Sequence, residues 1–563
     1  MPHRPVDGPN GVMLPRPLHA ADVAVMRRIF AFQSRGDIPA AIRATADLDN
    51  PLLLGSVLAD RYLGRYYRST ADDLIGWLER YRDLPDATAI HALLLTKLPK
   101  GVAAPPAPEA AAWITPADPG PVPEGNESGR NDLARQPVLD RSILDRAQRG
   151  DTASALRLIT TTRQLAIAYA AQLRAEVAQV AFTRNDDIEA LRIAQLALRD
   201  VESDNQPGLA YYVGGLAAWR LDRIDLARTL FEAGANVAGN PARLRAASAF
   251  WASRASRNMH DGSATVKWLR AAAKEQLTFH GLLARRILRM DTGILPGELL
   301  GQADVDAVAA TPRGRRAFAL IQVGQPGRAD AELRGLWAEA SANPAFGRSL
   351  LMVASAAGLT DSAALMADAQ RSADSQAREA LRIAVPRLRP AGGFTVDPTL
   401  VYAVARTESK FNPAAISPVG ARGLMQIMPV TAQFITGNLF YDPDRLRDPA
   451  ANLDIGQRYI SHLASQEGID NDLIRLLASY NTGGGSFRRW SAEIRDHGDP
   501  LLFIEAIPIG ETRNFVPQVL LYSWLYAARL HLPAASLDSL SIDEFPRFTP
   551  RSQERKMAIL MPG

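Results

Sequence analysis

A mainly α chain is expected, an α-superhelical solenoid followed by a smaller α-rich unit of different composition. Three observations predict this. Apolar residues recur at three- and four-residue spacing over most of the 563 residues, the pattern of helices with one buried face. Alternating β-branched runs between turn pairs, which would mark strands, are almost absent. The segment RPAGGFTVDP (Arg389–Pro398) then stops one helical system and starts another, because paired glycines and flanking prolines interrupt helices. A chain of this length also exceeds what one hydrophobic core supports.

The elements follow in order. Met1–Leu18 is rich in Pro, Gly and Arg and lacks the basic start, apolar run and small-residue cleavage site of a secretory signal. Composition leaves a cytoplasmic chain and a processed secreted one both open. Residues 19–100 read as a first helical segment, in stretches such as DVAVMRRIFAF (Asp22–Phe32). Residues 101–135 break the pattern as a proline-rich linker or long loop, with seven prolines between Pro105 and Pro123. Trp113 and Ile114 could anchor it to a neighbouring surface.

Helical pairs resume over 136–390, the expected solenoid. Within it, Gly214–Phe231 places small residues where two helices would touch, and Trp219, Ala227 and Phe231 at packing positions. That is a weak tetratricopeptide-like pattern, and such pairs stack because neither can bury its apolar face alone. Residues 391–535 form the second unit, richer in Gly, Asn and aromatics, and 536–563 a peripheral tail.

The bulk chemistry excludes several functions. Sixty-four basic and 60 acidic residues leave a net charge of +4, too balanced to claim nucleic acid as a partner. The basic cluster RGRR (Arg313–Arg316) reads as solvated surface. No cysteine is present, which removes disulfides, thiolate zinc sites and cysteine nucleophiles. The eight histidines show no ligand spacing, so no metal and no cofactor is expected. No apolar run is long enough to span a membrane.

One carboxylate stands out. Asp397-Pro398 is a strong helix start, an N-cap acid followed by proline. In the helix that follows, Leu400, Val401, Val404 and Glu408 share one face, so Glu408 projects from the last turn of an apolar stripe. Partial desolvation there would raise its pKa, as a general acid requires; a surface glutamate paired with Arg406 or Lys410 fits the same geometry. SPVGARGLMQIMP (Ser417–Pro429) is a glycine-punctuated turn in which Gln426 and Met428 could line a sugar-binding wall. ASYNTGGG (Ala478–Gly485) ends a helix with Tyr480 and Asn481. EAIPIGETRNFV (Glu505–Val516) sets Glu511 and Arg513 around another turn. Singly, Tyr480 reads more readily as a packed core tyrosine and Glu511–Arg513 as a structural salt bridge.

In this order, ESKFNPAAISPVGARGLMQIMP, ASYNTGGG and EAIPIGETRNFV resemble the soluble lytic transglycosylase family, the large periplasmic type. The resemblance covers Glu408 to Val516. TFHGLLA (Thr278–Ala284) is similar to a family YYGxLA motif, with Phe279 and His280 in place of two tyrosines, and Thr482 departs from the usual AxYNAGxG.

The resemblance implies a goose-type lysozyme-like catalytic domain behind a superhelical region that can close into a ring. It implies cleavage of the MurNAc-β-1,4-GlcNAc bond of peptidoglycan without water, leaving 1,6-anhydro-MurNAc ends. Glu408 would act as acid and then base, where most glycosidases use two carboxylates. Ser409 would contact substrate or hold the site's hydrogen bonds, Gln426 and Met428 would shape the groove, and Tyr480 would orient Glu408 or the N-acetyl group. Glu511 would contact the muramoyl side, while Asn481 reads more as a turn-fixing residue than a substrate contact. Asp448 reads as a helix cap before Pro449 rather than a second catalytic acid.

Peptidoglycan glycan strands are the expected partner, cell-wall synthesis proteins a further class, and a monomer the expected state. A periplasmic location follows from the substrate. Two other readings stay open: a hydrolytic muramidase on the same fold, and a non-catalytic glycan-binding scaffold.

Overall fold

The computed structural model describes residues 12–98, 102, 104–108, 133–199, 201, 206–291, 300–369, 383, 385–386 and 388–550. Most of the proline-rich segment 101–135, with Trp113 and Ile114, and the end of the 536–563 tail lie outside the described residues. Among those described, the elements are helical throughout, and the extended contacts are three isolated bridges. The chain divides into two compact units. One gathers Met1–Pro119, Leu295–Ala391 and Glu408–Leu453; the other gathers Gly120–Ile294, Gly392–Thr407 and Asp454–Gly563.

The first unit's core joins distant stretches of sequence. Met26, Ile29 and Phe30 from helix Ala20–Arg35 are buried in one cluster with Phe318 and Leu320 from helix Pro312–Gln322 and Leu350, Leu351 and Val353 from helix Pro344–Ala356. The RGRR cluster is only partly at the surface. Arg316 is buried, and its Nε donates to Glu332 Oε1 at 2.6 Å. Arg316 lies on the buried face of an amphipathic helix, where a charge persists only with a partner.

The second unit carries the helical array. Helices Ile167–Thr183, Asp187–Arg199, Gly208–Arg220, Ile224–Asn236, Ala242–Asn258 and Gly262–Ala273 follow one another, each packed on the next. One closure recurs between pairs: Asn185, Asp222 and His260 each take a left-handed backbone, with φ of 64, 57 and 59°. The residue after each returns its N–H to the preceding helix, Asp186 to Ala181 O, Arg223 to Ala218 O and Asp261 to Ser256 O. This satisfies carbonyls that a helix end leaves open.

The tetratricopeptide-like positions pack as their spacing predicts. Trp251 receives the edge of Trp219 at 5.4 Å and stacks on Phe231 at 5.8 Å, and Ala227 is fully buried. A Cβ on Gly215 would sit 2.5 Å from the Phe231 ring, so the helices approach this closely only over glycine. Gly215→Ala should therefore lower stability by about 1–3 kcal/mol through overpacking. Denaturation followed by circular dichroism checks it, and an unchanged midpoint would count against this packing.

Candidate active site

The helix Pro398–Ser409 carries the candidate acid. It starts as its sequence dictates: Asp397 Oδ1 accepts the Thr399 N–H at 2.9 Å, with proline at the first helical position. Residues 398–406 are buried, and Thr407, Glu408 and Ser409 are half-buried. Burial thus tapers off where Glu408 emerges. Two consecutive left-handed residues stop the helix, Lys410 with φ 50° and Phe411 with φ 62°, an uncommon conformation for residues with a Cβ.

The glycine-rich turn lies against the end of this helix. Ser409 Oγ donates to Leu424 O at 2.8 Å, so the residue beside the candidate acid spends its hydroxyl on the site's own framework. Within the turn, Arg422 and Ile427 exchange two backbone hydrogen bonds of 3.0 Å. Gly423 has φ 77°, and a Cβ there would lie 2.1 Å from Leu446 O; only glycine fits. Gln426 also holds a left-handed backbone, φ 46°. Its Nε2 donates to Gly423 O at 2.8 Å and Ala415 O at 3.3 Å. Met428, half-buried, is the N-cap of helix Pro429–Thr436.

Two buried polar residues that the sequence did not single out brace backbone on either side of the unit boundary, Asn452 in this framework and Gln457 in the other unit. Asn452 is fully buried. Its Nδ2 donates to Arg422 O and Leu446 O, both at 2.9 Å, and its Oδ1 accepts the Met425 N–H at 2.8 Å. One helical turn further on, in the other unit, buried Gln457 accepts the N–H groups of Thr395 and Val396 at 2.8 and 3.2 Å. Both lie on helix Pro449–Ala464, where a single Asn or Gln in the sequence carries no distinguishing pattern. Asp448 caps this helix, accepting the Ala451 N–H at 2.9 Å.

In the second unit, Tyr480 is buried in an aromatic group, 5.4 Å from the Tyr459 ring and stacked at 6.3 Å on Phe515. Asn481 Oδ1 accepts the Thr512 hydroxyl at 2.6 Å, tying ASYNTGGG to EAIPIGETRNFV. The Thr482 hydroxyl turns back to Ala478 O at 3.0 Å, a local bond that absorbs the departure from alanine. Glu511 is exposed in the first turn of helix Gly510–Leu530. A Glu511–Arg513 salt bridge is not what forms: Arg513 Nη1 donates to Ile507 O at 2.6 Å.

The predicted residues thus fall into two sets. Glu408, Ser409, Gln426 and Met428 belong to one unit, and Tyr480, Asn481 and Glu511 to the other.

The TFHGLLA segment forms helix Phe279–Ile287, whose Phe279 stacks at 5.0 Å on Trp524 of helix Gly510–Leu530. Burial holds the His280 pKa down to about 3, helped by the charges of Arg243 and Arg254. Native His280 is therefore neutral, whereas in the unfolded chain it titrates near 6.5. Below that value the unfolded state binds the extra proton, so this group's contribution to stability is full above 6.5 and lost as pH falls toward 3. The slope from this one group is at most about 1.4 kcal/mol per pH unit. Glu505, whose pKa burial raises from 4.5, tilts stability the other way above 4.5. A His280→Gln comparison cancels that contribution: the variant should lose less stability than wild type between neutral and mildly acidic pH, and parallel curves would refute the assignment.

Residues 389–502 match the family profile described as "Transglycosylase SLT domain". The chain carries a transglycosylase SLT domain. The soluble lytic murein transglycosylase of Escherichia coli (strain K12) is 39% identical over 142 residues, covering 24% of this chain and 22% of that protein. Its namesake from Salmonella typhimurium is 40% identical over 139 residues, 24% of this chain and 21% of that protein. The match spans about a fifth of the length of these curated relatives.

The lytic transglycosylase Slt of Pseudomonas aeruginosa, solved as an inactive glutamate-to-glutamine mutant, aligns over 95% of this chain and 90% of that one, with a TM-score of 0.51 and 19% identity. This likeness carries the shared fold beyond the SLT domain into the helices before it. The fold is the mainly α one expected, with a helical array ahead of the residues that match the SLT profile. No helix among the described residues is long and apolar enough to cross a membrane.

Proposed function

We propose that this chain is a peptidoglycan lytic transglycosylase that uses Glu408 as acid and then base. The observation that carries this reading is a half-buried glutamate in the last turn of an apolar helix, inside an SLT domain and joined through Ser409 to a turn whose glycine admits no side chain. Protonated Glu408 gives its proton to the glycosidic oxygen between N-acetylmuramic acid and N-acetylglucosamine. The C1–O bond breaks, and the N-acetylglucosamine unit leaves with a 4-hydroxyl. The substrate's own N-acetyl group stabilises the electron-poor C1. Ionised Glu408 then takes the proton of the C6 hydroxyl of the same muramic acid, and O6 closes onto C1. The acid is regenerated and no water is consumed. The tethered hydroxyl has the advantage of proximity over a water molecule.

In this reading Gln426 and Met428 shape the groove; Gln426 Oε1, which has no donor among the described residues, is available to a sugar hydroxyl or amide. Ser409 and Asn481 act on the framework, Tyr480 orients the acid or the N-acetyl group, and Glu511 meets the muramoyl side. The catalytic domain spans 391–535 behind a solenoid of 136–390, and the enzyme works as a periplasmic monomer on glycan strands alongside cell-wall synthesis proteins. Mass spectrometry of digested sacculi tests the reaction. Muropeptides ending in 1,6-anhydro-MurNAc are expected; reducing ends alone would make the enzyme a hydrolytic muramidase, and undigested sacculi a glycan-binding scaffold.

A further inference from the structure

Tyr480 and Glu511 come from two helices of the same unit, and each stands at a helix end. Tyr480 and Asn481 close helix Leu473–Thr482, just before Gly483, Gly484 and Gly485, the first of which takes a φ of 79°. Glu511 lies in the first turn of helix Gly510–Leu530. Helix ends lack part of their hydrogen-bond ladder, so the relative placement of these two residues depends on contacts that cross from one helix to the other.

Two such contacts are formed. Helix positions three and four apart share a face, so Thr512 and Phe515 point the same way, with Glu511 one turn before Phe515 on that side. The Phe515 ring is parallel to that of Tyr480, with 4° between the planes and 6.3 Å between the centroids. The Thr512 hydroxyl donates to Asn481 Oδ1 at 2.6 Å. Apolar contact has no preferred direction, so the parallel rings can slide over each other at little cost. A hydrogen bond weakens steeply when bent or stretched, so Thr512 is the contact that fixes the register.

The hydroxyl is available for this because of where Thr512 falls. Thr407, Thr436 and Thr482, each near the end of a helix, return their hydroxyls to the carbonyl four residues back, at 2.9, 2.7 and 3.0 Å, the usual local outlet. Thr512 is the third residue of its helix, so the corresponding carbonyl, that of Pro508, precedes the helix. Thr512 is also fully buried, where a hydroxyl without a partner is costly, and Asn481 is the partner it finds.

We propose that Thr512 is a positioning residue for the transglycosylase reaction: its hydroxyl, through Asn481, sets the helix end that carries Tyr480 in register with the turn that carries Glu511. This inference rests on the lytic transglycosylase reading.

Two substitutions with opposite losses test it. Thr512→Val keeps the branched shape and removes the hydroxyl, whereas Thr512→Ser keeps the hydroxyl and removes a buried methyl. kcat and KM are measured on isolated glycan strands, for variants whose circular dichroism matches wild type, and stability by chemical denaturation. Thr512→Val should lower kcat/KM about tenfold, mainly through kcat. Thr512→Ser should stay close to wild type in kcat/KM, even though the missing methyl lowers its stability. In an Asn481→Ala background the valine substitution should cost nothing further, because both changes break the same bond. A hydrogen bond that serves stability alone would shift the denaturation midpoint and leave kcat/KM of the folded valine variant at the wild-type value. That result overturns the proposal, as does a serine variant as slow as the valine one, or an undiminished valine loss in the Asn481→Ala background. Thr512→Ala takes the place of Thr512→Val if the latter does not fold. Wild-type protein that releases no anhydro ends would instead sink the functional reading beneath it.

Discussion

Glu408→Gln should abolish release of 1,6-anhydro muropeptides while the protein still folds and still binds sacculi. Glutamine keeps the size and one acceptor oxygen of glutamate but can neither donate the first proton nor take the second. General acid–base catalysis contributes about 10²–10⁴-fold per positioned group. In the proposed reaction the same carboxyl would serve both halves, so the loss should reach or exceed the upper figure. Stability should change little, because Glu408 is half-buried at the end of its helix and the framework around it is built by Ser409 and the glycine-rich turn. Turbidity loss of cell walls, with mass spectrometry of the soluble products, measures this. Normal cleavage by the variant would mean that another residue is the acid. Loss of cleavage with retained binding is also what separates an enzyme from a glycan-binding scaffold, since a scaffold has no cleavage to lose.

The sequence carried the helices and their ends well, because both are local. Asp397 and Asp448 cap the helices they precede, and the small residues at Gly214–Gly215 lie where their spacing puts a helix contact. The order of the glycine-rich and aromatic motifs located the SLT domain, whose match begins at the Gly-Pro break near Arg389. Three kinds of feature were not legible. Buried polar staples such as Asn452 and Gln457 look like any helix-surface amide until tertiary contacts bury them. The left-handed backbone of Lys410, Phe411 and Gln426 is imposed by surrounding structure on residues whose own preference is otherwise. Side-chain pairings defeated local reading: Arg316 is buried on Glu332 of the next helix instead of solvated, and Arg513 binds the nearby Ile507 carbonyl instead of Glu511. Each turns on what lies opposite a side chain, which spacing along one element does not encode.

Asn452→Leu should be the most destabilising of these substitutions and should damage catalysis without touching the candidate acid. Leucine matches asparagine closely in shape but offers no hydrogen bond. The Met425 N–H and the Leu446 carbonyl would lose the partners they have at 2.8 and 2.9 Å, while Arg422 O retains the Ile427 N–H at 3.0 Å. A buried backbone group left unpaired costs about 1–3 kcal/mol, so two should cost about 2–6 kcal/mol together. The site lies where a relaxed turn would matter, because Met425 is flanked by Leu424, which receives the Ser409 hydroxyl, and Gln426, whose amide braces Gly423. Activity per folded molecule should therefore fall as well, with kcat affected more than KM if the Glu408 end of the wall shifts. Asn452→Asp keeps the acceptor for Met425 but turns a carboxylate oxygen toward the Arg422 and Leu446 carbonyls in a fully buried place, and at neutral pH should be no more stable than the leucine variant. Chemical denaturation and activity on sacculi read the two effects separately. A leucine variant with the wild-type midpoint would show that the Met425 and Leu446 groups find other partners, and that Asn452 does not hold the turn.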